Sequence, residues 1–126
     1  MAFAPALTGA DRAALVSLLT PAGECPEVPE ESLEAYAVLS AMGPTYLWFQ
    51  LQALREVAAG LGLTAAQITP ALKRMVCGAT RTLLESGLSP DEVLDLVPVK
   101  PLAEMESQVT EFYRTRLPAI HQKIKP

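Results

Sequence analysis

Few side chains in this sequence are of the kinds that carry out acid–base or nucleophilic chemistry. His121 is the only histidine, and it is the only side chain expected to titrate near neutral pH without help from its surroundings. It lies in a basic C-terminal segment, with no nucleophile or acid spaced to work with it, so a solvated histidine is the favoured interpretation. We therefore predict no catalytic residue in this chain.

The two cysteines are far apart along the chain. Cys25 lies in a proline-rich turn and Cys77 in a helical pattern, which indicates two free thiols and not a disulfide. Two thiols and a single histidine are also fewer ligands than a structural zinc site requires. We predict no metal site.

No glycine-rich loop follows a predicted strand. Gly60-Leu-Gly62 comes nearest to such a loop, but it lies between two predicted helices. The dinucleotide fingerprint needs its glycines directly after a strand, so that the backbone can approach a pyrophosphate at a helix N-terminus. The chain is expected to hold no cofactor of its own.

The composition indicates one domain, residues 1–126, with apolar surface that is expected to contact another chain. Of its 126 residues, 50% are hydrophobic and 19% are charged, and the mean hydropathy is +0.24. This is unusually apolar for a soluble domain of this size, so part of the surface is expected to meet another chain. The net charge is -4 and the basic residues are scattered, which argues against a nucleic-acid partner.

Neither a membrane span nor a secretory signal is expected. The longest apolar stretch, residues 46–63, contains Gln50, Gln52, Arg55 and Glu56, which would be costly in hydrocarbon. The N-terminus has no basic region followed by an apolar core and a cleavage site. These features predict a cytoplasmic protein.

Helix signals follow one another along the chain, and no strand is predicted. Thr8, Thr64 and Ser89 are capping residues that begin helices, and glycines or prolines end them. Pro118 is expected to kink the last helix or end it early. The predicted helices cover approximately residues 9–19, 29–43, 44–61, 64–87, 89–96 and 102–125, with an irregular connector at 24–29. The fold class is therefore all-α, a helical bundle.

The third predicted helix, residues 44–61, is more apolar than one buried face requires. Leu47, Leu51 and Leu54 repeat at helical spacing, and Trp48 and Phe49 cover much of the remaining surface. Such a helix must be enclosed, and in a domain of this length a second subunit could supply the cover. The residues predicted to face inward on the next helix and on the last one are Ile68, Leu72, Met75, Val76, Ala79, Leu83, Met105, Val109, Phe112, Leu117 and Ile120.

Gly78 interrupts the fourth predicted helix. A glycine inside a helix costs about 1 kcal/mol relative to alanine. The expectation is that another backbone packs closely at this position.

The run from Glu34 to Tyr46, Glu-Ala-Tyr-Ala-Val-Leu-Ser-Ala-Met-Gly-Pro-Thr-Tyr, resembles a segment of the pyrroline-5-carboxylate reductases. The matching core is Leu39-Ser40, Gly43-Pro44 and Tyr46. With weaker matches on either side, the resemblance covers most of residues 15–97 and leaves residues 98–126 as a divergent C-terminal helix.

The resemblance implies an all-α dimerisation domain of the 6-phosphogluconate-dehydrogenase C-terminal-like type, whose long helices interleave with those of a second subunit. The implied activity is NADPH- or NADH-dependent reduction of pyrroline-5-carboxylate in proline biosynthesis, with substrate at the homodimer interface. The implied NAD(P)H site is an N-terminal Rossmann domain that this chain lacks. The chain would be part of a longer polypeptide or work with a separate Rossmann subunit, and alone it is expected to be inactive.

The resemblance also points to four candidate substrate contacts. Ser40 matches the family motif, although a serine near a helix end more often bonds a local carbonyl. Gly43-Pro44 could shape the floor of a pocket, or it could simply be the tight break between two helices. The two roles are compatible. Lys100 lies in the loop that replaces the family's substrate loop, where it either meets an anion or is an ordinary exposed lysine.

A dimer interface on the long helices, residues 44–87, is implied as well. Tyr46 and Trp48 could line a ligand cavity, but interface or core packing is favoured because aromatic residues are enriched at interfaces. The predicted interface residues are Tyr46, Trp48, Phe49, Leu51, Leu54, Met75, Val76, Ala79 and Leu83.

The chain departs from the family pattern where substrate would bind. Ala37 and Ala41-Met42 replace hydroxyl-bearing residues, and residues 99–105 keep no double glycine, while Glu104 would repel a carboxylate. The alternative function is therefore a non-enzymatic helical dimerisation or ligand-binding protein that keeps the fold without the chemistry. An unrelated helical bundle would leave the Gly-Pro-x-Tyr match to chance.

Overall fold

The computed structural model describes residues 1–125, and within that range it contains helices and connecting segments but no strand. The all-α prediction is confirmed. The chain divides into two compact units: the first is Met1–Gly43 together with the segment that begins at Tyr113, and the second is Pro44–Phe112. The assignment of the chain as one domain stays a prediction.

The first unit opens with helix α1, Gly9–Leu19. Thr8 caps this helix, because its side-chain oxygen accepts a hydrogen bond from the backbone N–H of Asp11 at 3.3 Å. A 3-10 turn at Thr20–Ala22 follows, and the connector at residues 24–29 is irregular, as predicted. The N-terminus is hydrogen-bonded to this connector, since the N–H of Val28 donates to the Met1 carbonyl at 2.9 Å.

The second predicted helix is not a uniform α-helix. It consists of a 3-10 turn at Glu30–Ser32, a short helix α2 at Leu33–Tyr36 and a π-helical turn at Ala37–Ala41. In the π turn the N–H of Met42 donates to the carbonyl five residues back, at 3.0 Å. The wider turn leads into Pro44, which has no N–H to continue the α-helical pattern.

The second unit contains the long helices. Helix α3 is Gly43–Gly60, α4 is Ala65–Glu85 and α5 is Pro90–Asp95. Two of the predicted capping residues form capping boxes, Thr64 with Gln67 before α4 and Ser89 with Glu92 before α5. Each box satisfies amide donors that have no partner inside the helix.

Helix α6, Ala103–Ile124, begins in the second unit and ends in the first. It continues through Pro118, so the expected early end is wrong. The proline ring fixes φ near a helical value. Because Pro118 has no N–H, the Arg114 carbonyl does not accept its hydrogen bond within the helix. No helix in residues 1–125 is long and apolar enough to span a bilayer.

Little of the apolar surface is buried within the chain. Val38 and Ile68 are the buried hydrophobic residues of the described range, at 8% and 3% exposure. The chain exposes 10196 Å², whereas a typical folded monomer of this mass exposes about 6,500 Å². Much of the surface that a core would normally cover is therefore open to solvent.

Only some of the residues that were predicted to face inward on the fourth and last helices are buried or half-buried. Ile68 is buried, and Leu72, Val76, Leu117 and Ile120 are half-buried. For the others the prediction is wrong, because no second layer of helices covers them within their own unit. These exposed residues are Met75, Ala79, Leu83, Met105, Val109 and Phe112.

Candidate functional site

A groove of about 460 Å³ is lined by helices α3 and α4 within the second unit. Trp48 and Leu51 of α3 line it together with Ile68, Leu72 and Val76 of α4. Ile68 is buried, whereas Trp48 is 65% exposed. The groove is therefore an open apolar surface and not a closed cavity.

Helical spacing explains why these residues share the groove. On α3 the lining residues Trp48, Leu51 and Arg55 recur at intervals of three and four positions, which places them on one face. On α4 the residues Ile68 and Leu72 recur in the same way. The connection of residues 61–64 reverses the chain between the two helices.

Two cations line the groove, together with the polar residues Gln52 and Thr69. Arg55 lies on α3 and Lys73 on α4, and neither forms an ion pair with any residue in the range 1–125. The nearest acid in sequence, Glu56, accepts a hydrogen bond from Gln52 at 2.8 Å. The groove therefore combines an apolar floor with two uncompensated positive charges.

The groove brings together three of the nine predicted interface residues, namely Trp48, Leu51 and Val76. Tyr46 is half-buried, and the remaining five are exposed on α3 or α4 away from the groove. Exposed apolar side chains are what an interface requires, but the interface role itself stays a prediction. The five residues are Phe49, Leu54, Met75, Ala79 and Leu83.

Three of the four candidate substrate contacts lie around the break between α2 and α3. Ser40 is exposed in the π turn, Gly43 begins α3, and Pro44 is exposed beside it. A Cβ atom placed on Gly43 would meet no atom within 4 Å, so packing within this chain does not require a glycine there. Their substrate role stays a prediction.

Lys100, the fourth candidate, is engaged by a partner in its own unit. Its ammonium group donates a hydrogen bond to the Asp95 carboxylate at 2.9 Å. This bond raises the pKa of Lys100 and lowers the pKa of Asp95, and the nearby charge of Glu106 also raises the lysine's pKa. An anionic ligand would have to compete with Asp95 for this lysine.

The loop around Lys100 is apolar. Val97, Val99 and Leu102 are 63%, 72% and 72% exposed. A loop of this composition suits a hydrophobic partner better than a carboxylate, which needs amide or hydroxyl donors.

The glycine pair at the end of α3 closes a helix. The N–H of Leu63 donates to the Ala58 carbonyl at 3.1 Å and the N–H of Gly62 to the Ala59 carbonyl at 3.0 Å. With φ of +92° at Gly62, these bonds form a Schellman C-cap. This glycine pair is therefore not a dinucleotide fingerprint, because it ends a helix and does not open one after a strand.

The thiols and the histidine lie apart from any catalytic arrangement. Cys25 is half-buried in the first unit, and Cys77 is exposed at the groove in the second, both as free thiols. His121 is half-buried on α6. Within residues 1–125 no group of three or more histidine, cysteine, aspartate or glutamate side chains is placed to hold a metal ion.

Known proteins similar to this chain are pyrroline-5-carboxylate reductases. The enzyme of Methanosarcina acetivorans is 28% identical over 90 residues, which are 71% of this chain and 33% of that protein. Pyrroline-5-carboxylate reductase 2 of Bacillus subtilis is 29% identical over 83 residues, or 66% and 30% of the two chains. The human reductase 2 is 31% identical over 83 residues, or 66% and 26%. The chain thus spans about a third or less of these relatives.

A solved structure has the same helical fold. The pyrroline carboxylate reductase of Plasmodium falciparum, solved with NADP bound, superposes with a TM-score of 0.75 over 95% of this chain and 51% of that one, at 16% identity. No family model matches the chain. The chain is similar in sequence to part of the pyrroline-5-carboxylate reductases and has the helical fold of one of them.

This similarity confirms the resemblance that the Gly43-Pro44-x-Tyr46 motif indicates. It favours that resemblance over the interpretation of the chain as an unrelated helical bundle. The structural match covers nearly the whole chain, and so it extends beyond residues 15–97, where the sequence resemblance is best.

Sequence reasoning missed the charged part of the groove. Arg55 is seven positions after Trp48 and therefore on the same face of α3, and Lys73 is one position after Leu72 on α4. The spacing of Arg55 was visible in the sequence. Whether cations on two helices line the same groove depends on how α3 and α4 lie, and periodicity along one helix does not contain that information.

Proposed function

We propose that this chain is the dimerisation and substrate-side domain of a pyrroline-5-carboxylate reductase-like, NAD(P)-dependent oxidoreductase of proline biosynthesis. Similarity to the reductases supports the reaction class, and the helical fold supports the role of the non-nucleotide half. The observation that carries the proposal is the open apolar surface of α3 and α4.

The size of the exposed surface supports assembly with a second copy. The accessible area exceeds that of a typical monomer of this mass by about 3,700 Å². Obligate homodimers bury roughly 2,000–5,000 Å² counted over both partners. The excess on each copy is therefore large enough for such an interface, with area left for a second kind of domain.

The nicotinamide cofactor belongs, in this proposal, to a Rossmann domain in the same parent chain or in a separate subunit. Hydride transfer needs a nicotinamide held against the substrate, and the glycine pair Gly60-Leu-Gly62 closes a helix and is not a dinucleotide fingerprint. We assign the chain a role in shaping the substrate side through Ser40, Gly43, Pro44 and Lys100. The proposal places it in the cytoplasm, where free thiols such as Cys25 and Cys77 are ordinary.

A second candidate function is favoured by the pairing of Lys100 with Asp95. Asp95 already binds Lys100, the one cation of the loop, and the loop is otherwise apolar. In this second candidate, the chain is a helical dimerisation or ligand-binding protein that keeps the fold without the chemistry. This candidate predicts the same dimer without turnover of substrate.

A chimera separates the two functions. The isolated chain is expected to consume no NADPH in the presence of pyrroline-5-carboxylate, because it holds no nicotinamide. Joined to the nucleotide-binding half of the Bacillus subtilis reductase, it is expected to restore pyrroline-5-carboxylate-dependent oxidation of NADPH, measured by absorbance. The control is the same nucleotide-binding half alone.

Two results would contradict the reductase assignment. A chimera that dimerises and binds NADPH but turns over no substrate would favour the alternative. Consumption of NADPH by the isolated chain would show that the cofactor assignment is wrong.

A further inference from the structure

We propose that Arg12 is a positioning residue, which fixes the segment before helix α1, residues 1–7, to the connector at residues 24–29. In the parent enzyme proposed above, the nucleotide-binding half would then be joined to the first unit through a fixed segment and not through a flexible linker. The inference rests on the proposed function, in the form in which both halves belong to one chain. It adds the residue that sets how the two halves are joined.

The Arg12 guanidinium contacts two side chains from different parts of the first unit. Its Nη1 atom donates a hydrogen bond to a carboxylate oxygen of Glu27, in the connector, at 2.9 Å. Its Cζ atom lies 5.2 Å from the centroid of the Phe3 ring, within the range of a cation–π interaction. Arg12 itself belongs to α1, so these contacts join three segments of the chain. We refer to Phe3, Arg12 and Glu27 as the Arg12 cluster.

A backbone hydrogen bond joins the same two segments. The N–H of Val28, next to Glu27, donates to the carbonyl of Met1, two positions before Phe3, at 2.9 Å. The Arg12 cluster and Val28 also line one groove of about 450 Å³, together with Pro5. Side-chain and backbone contacts therefore act on the same pair of segments.

The rest of the N-terminal segment is ordered up to the helix. The N–H of Leu7 donates to the Ala4 carbonyl at 3.0 Å, which closes a turn. Thr8 then caps α1, and its hydroxyl also donates to the Asp11 carboxylate at 2.6 Å. Because contacts recur along residues 1–8, the first unit sets the direction of the chain at residue 1. A chain that continues before residue 1 would start from a fixed point.

No neighbouring side chain can take over the role of Arg12. It is the only cationic side chain of residues 1–43, which carry six acidic ones. An exposed ion pair alone stabilises little, but the Arg12 side chain is only 34% exposed and its guanidinium serves two partners. A neutral residue at this position would leave Glu27 among acids and Phe3 without its cation.

Hydrogen exchange of the Val28 amide tests the contact in the 126-residue chain. R12M has a side chain of similar reach without the charge, and it is expected to speed the exchange of Val28 about fivefold, because both contacts of the guanidinium are lost. R12K retains a cation and is expected to keep most of the protection. The matched control is R81M, which removes the separate ion pair with Glu85 in the second unit.

A distance measurement tests positioning in the chimera described above. One spin label is placed on the nucleotide-binding half and another at Q122C, on α6 in the first unit, with the other cysteines replaced by serine. Labelled chimera is diluted with unlabelled chimera, so that pulsed electron paramagnetic resonance measures distances within one chain. R12M is expected to increase the width of the distance distribution about twofold, because a flexible joint samples more distances. R12K and R81M are expected to leave the width unchanged.

The outcomes separate this inference from the proposed function. Unchanged exchange of Val28 in R12M, or a distance distribution that R12M does not broaden, would overturn the inference whether or not the chimera turns over substrate. A broad distribution in the chimera that retains Arg12 would overturn it as well, because the joint would then be flexible with the cluster intact. A narrow distribution that broadens in R12M supports the inference even in a chimera that reduces no pyrroline-5-carboxylate, and the reductase assignment alone then fails.

Discussion

At Gly78 the sequence and the structure lead to different expectations. A glycine inside α4 suggests that another backbone approaches closely, yet a Cβ atom at this position would meet no atom of the chain within 4 Å. Gly78 also lies away from the groove-lining face of α4, because Cys77 and Val76 precede it by about 100° and 200° around the helix. Within this chain the glycine is therefore only a weak point in the helix.

Gly78→Ala tests this interpretation. The substitution is expected to raise the free energy of unfolding by about 1 kcal/mol, since alanine is the better helix former. Urea denaturation at fixed protein concentration measures the change, and A79G at the neighbouring position is expected to have the opposite sign. A loss of stability in Gly78→Ala would mean that a backbone of another copy packs at this position.

The pair of Asp95 and Lys100 has a defined pH dependence. The lysine holds the pKa of Asp95 below its ordinary value, first through the hydrogen bond and then through its charge. The stabilisation is therefore complete above the unfolded-state pKa of about 3.9 and is lost as the pH falls through the lower folded-state pKa.

Lys100→Met is expected to move the pKa of Asp95 upward, toward its ordinary value. Carboxyl NMR titration measures that pKa. The control is Arg81→Met, which removes the separate pair with Glu85 and is expected to leave Asp95 unchanged. An unaltered pKa in Lys100→Met would mean that this lysine does not hold the carboxylate in solution, and Lys100 would then be free to meet an anion.

At the scale of elements, local signals predicted the helices wherever a cap marks their start. Thr8, Thr64 and Ser89 begin α1, α4 and α5 as expected, and the glycines that close α3 and α4 have positive φ. The division of residues 30–41 into 3-10, α and π turns could not be predicted. It depends on how the chain accommodates the break before Pro44, and propensity does not encode that.

Only some of the residues that line the groove could be predicted from the sequence. The resemblance predicted Trp48, Leu51 and Val76 as interface residues, but whether Arg55 and Lys73 line the same groove depends on how the two helices lie. The same limit explains the inward stripe of α6, since its spacing identifies a face without identifying what covers that face.

Pro118 provides a test at this scale, because α6 continues through it. Pro118→Ala is expected to stabilise the folded chain by up to about 3 kcal/mol, and Pro118→Gly by up to about 2 kcal/mol, following their helix propensities. Circular dichroism during urea unfolding measures both. A destabilising Pro118→Ala would mean that the proline ring makes packing contacts worth more than the missing hydrogen bond.

The whole molecule buries little of its apolar surface. Two hydrophobic residues are buried in the described range, while large side chains such as Phe49 and Leu84 are 69% and 74% exposed. Folding stability is a small difference between burial and chain entropy, so we expect a chain with this much open apolar surface to depend on a partner for part of its stability. The composition leads to the same expectation.

We propose that this domain assembles with a second copy through its long helices. Light scattering after size exclusion, across a wide range of protein concentration, measures the mass of the assembly. We predict a mass of twice the 13.5 kDa of one chain, unchanged on dilution to concentrations at which a weak complex would dissociate. A mass of 13.5 kDa at every concentration would contradict the proposed dimer, because the open surfaces of α3, α4 and α6 would then have no copy to cover them.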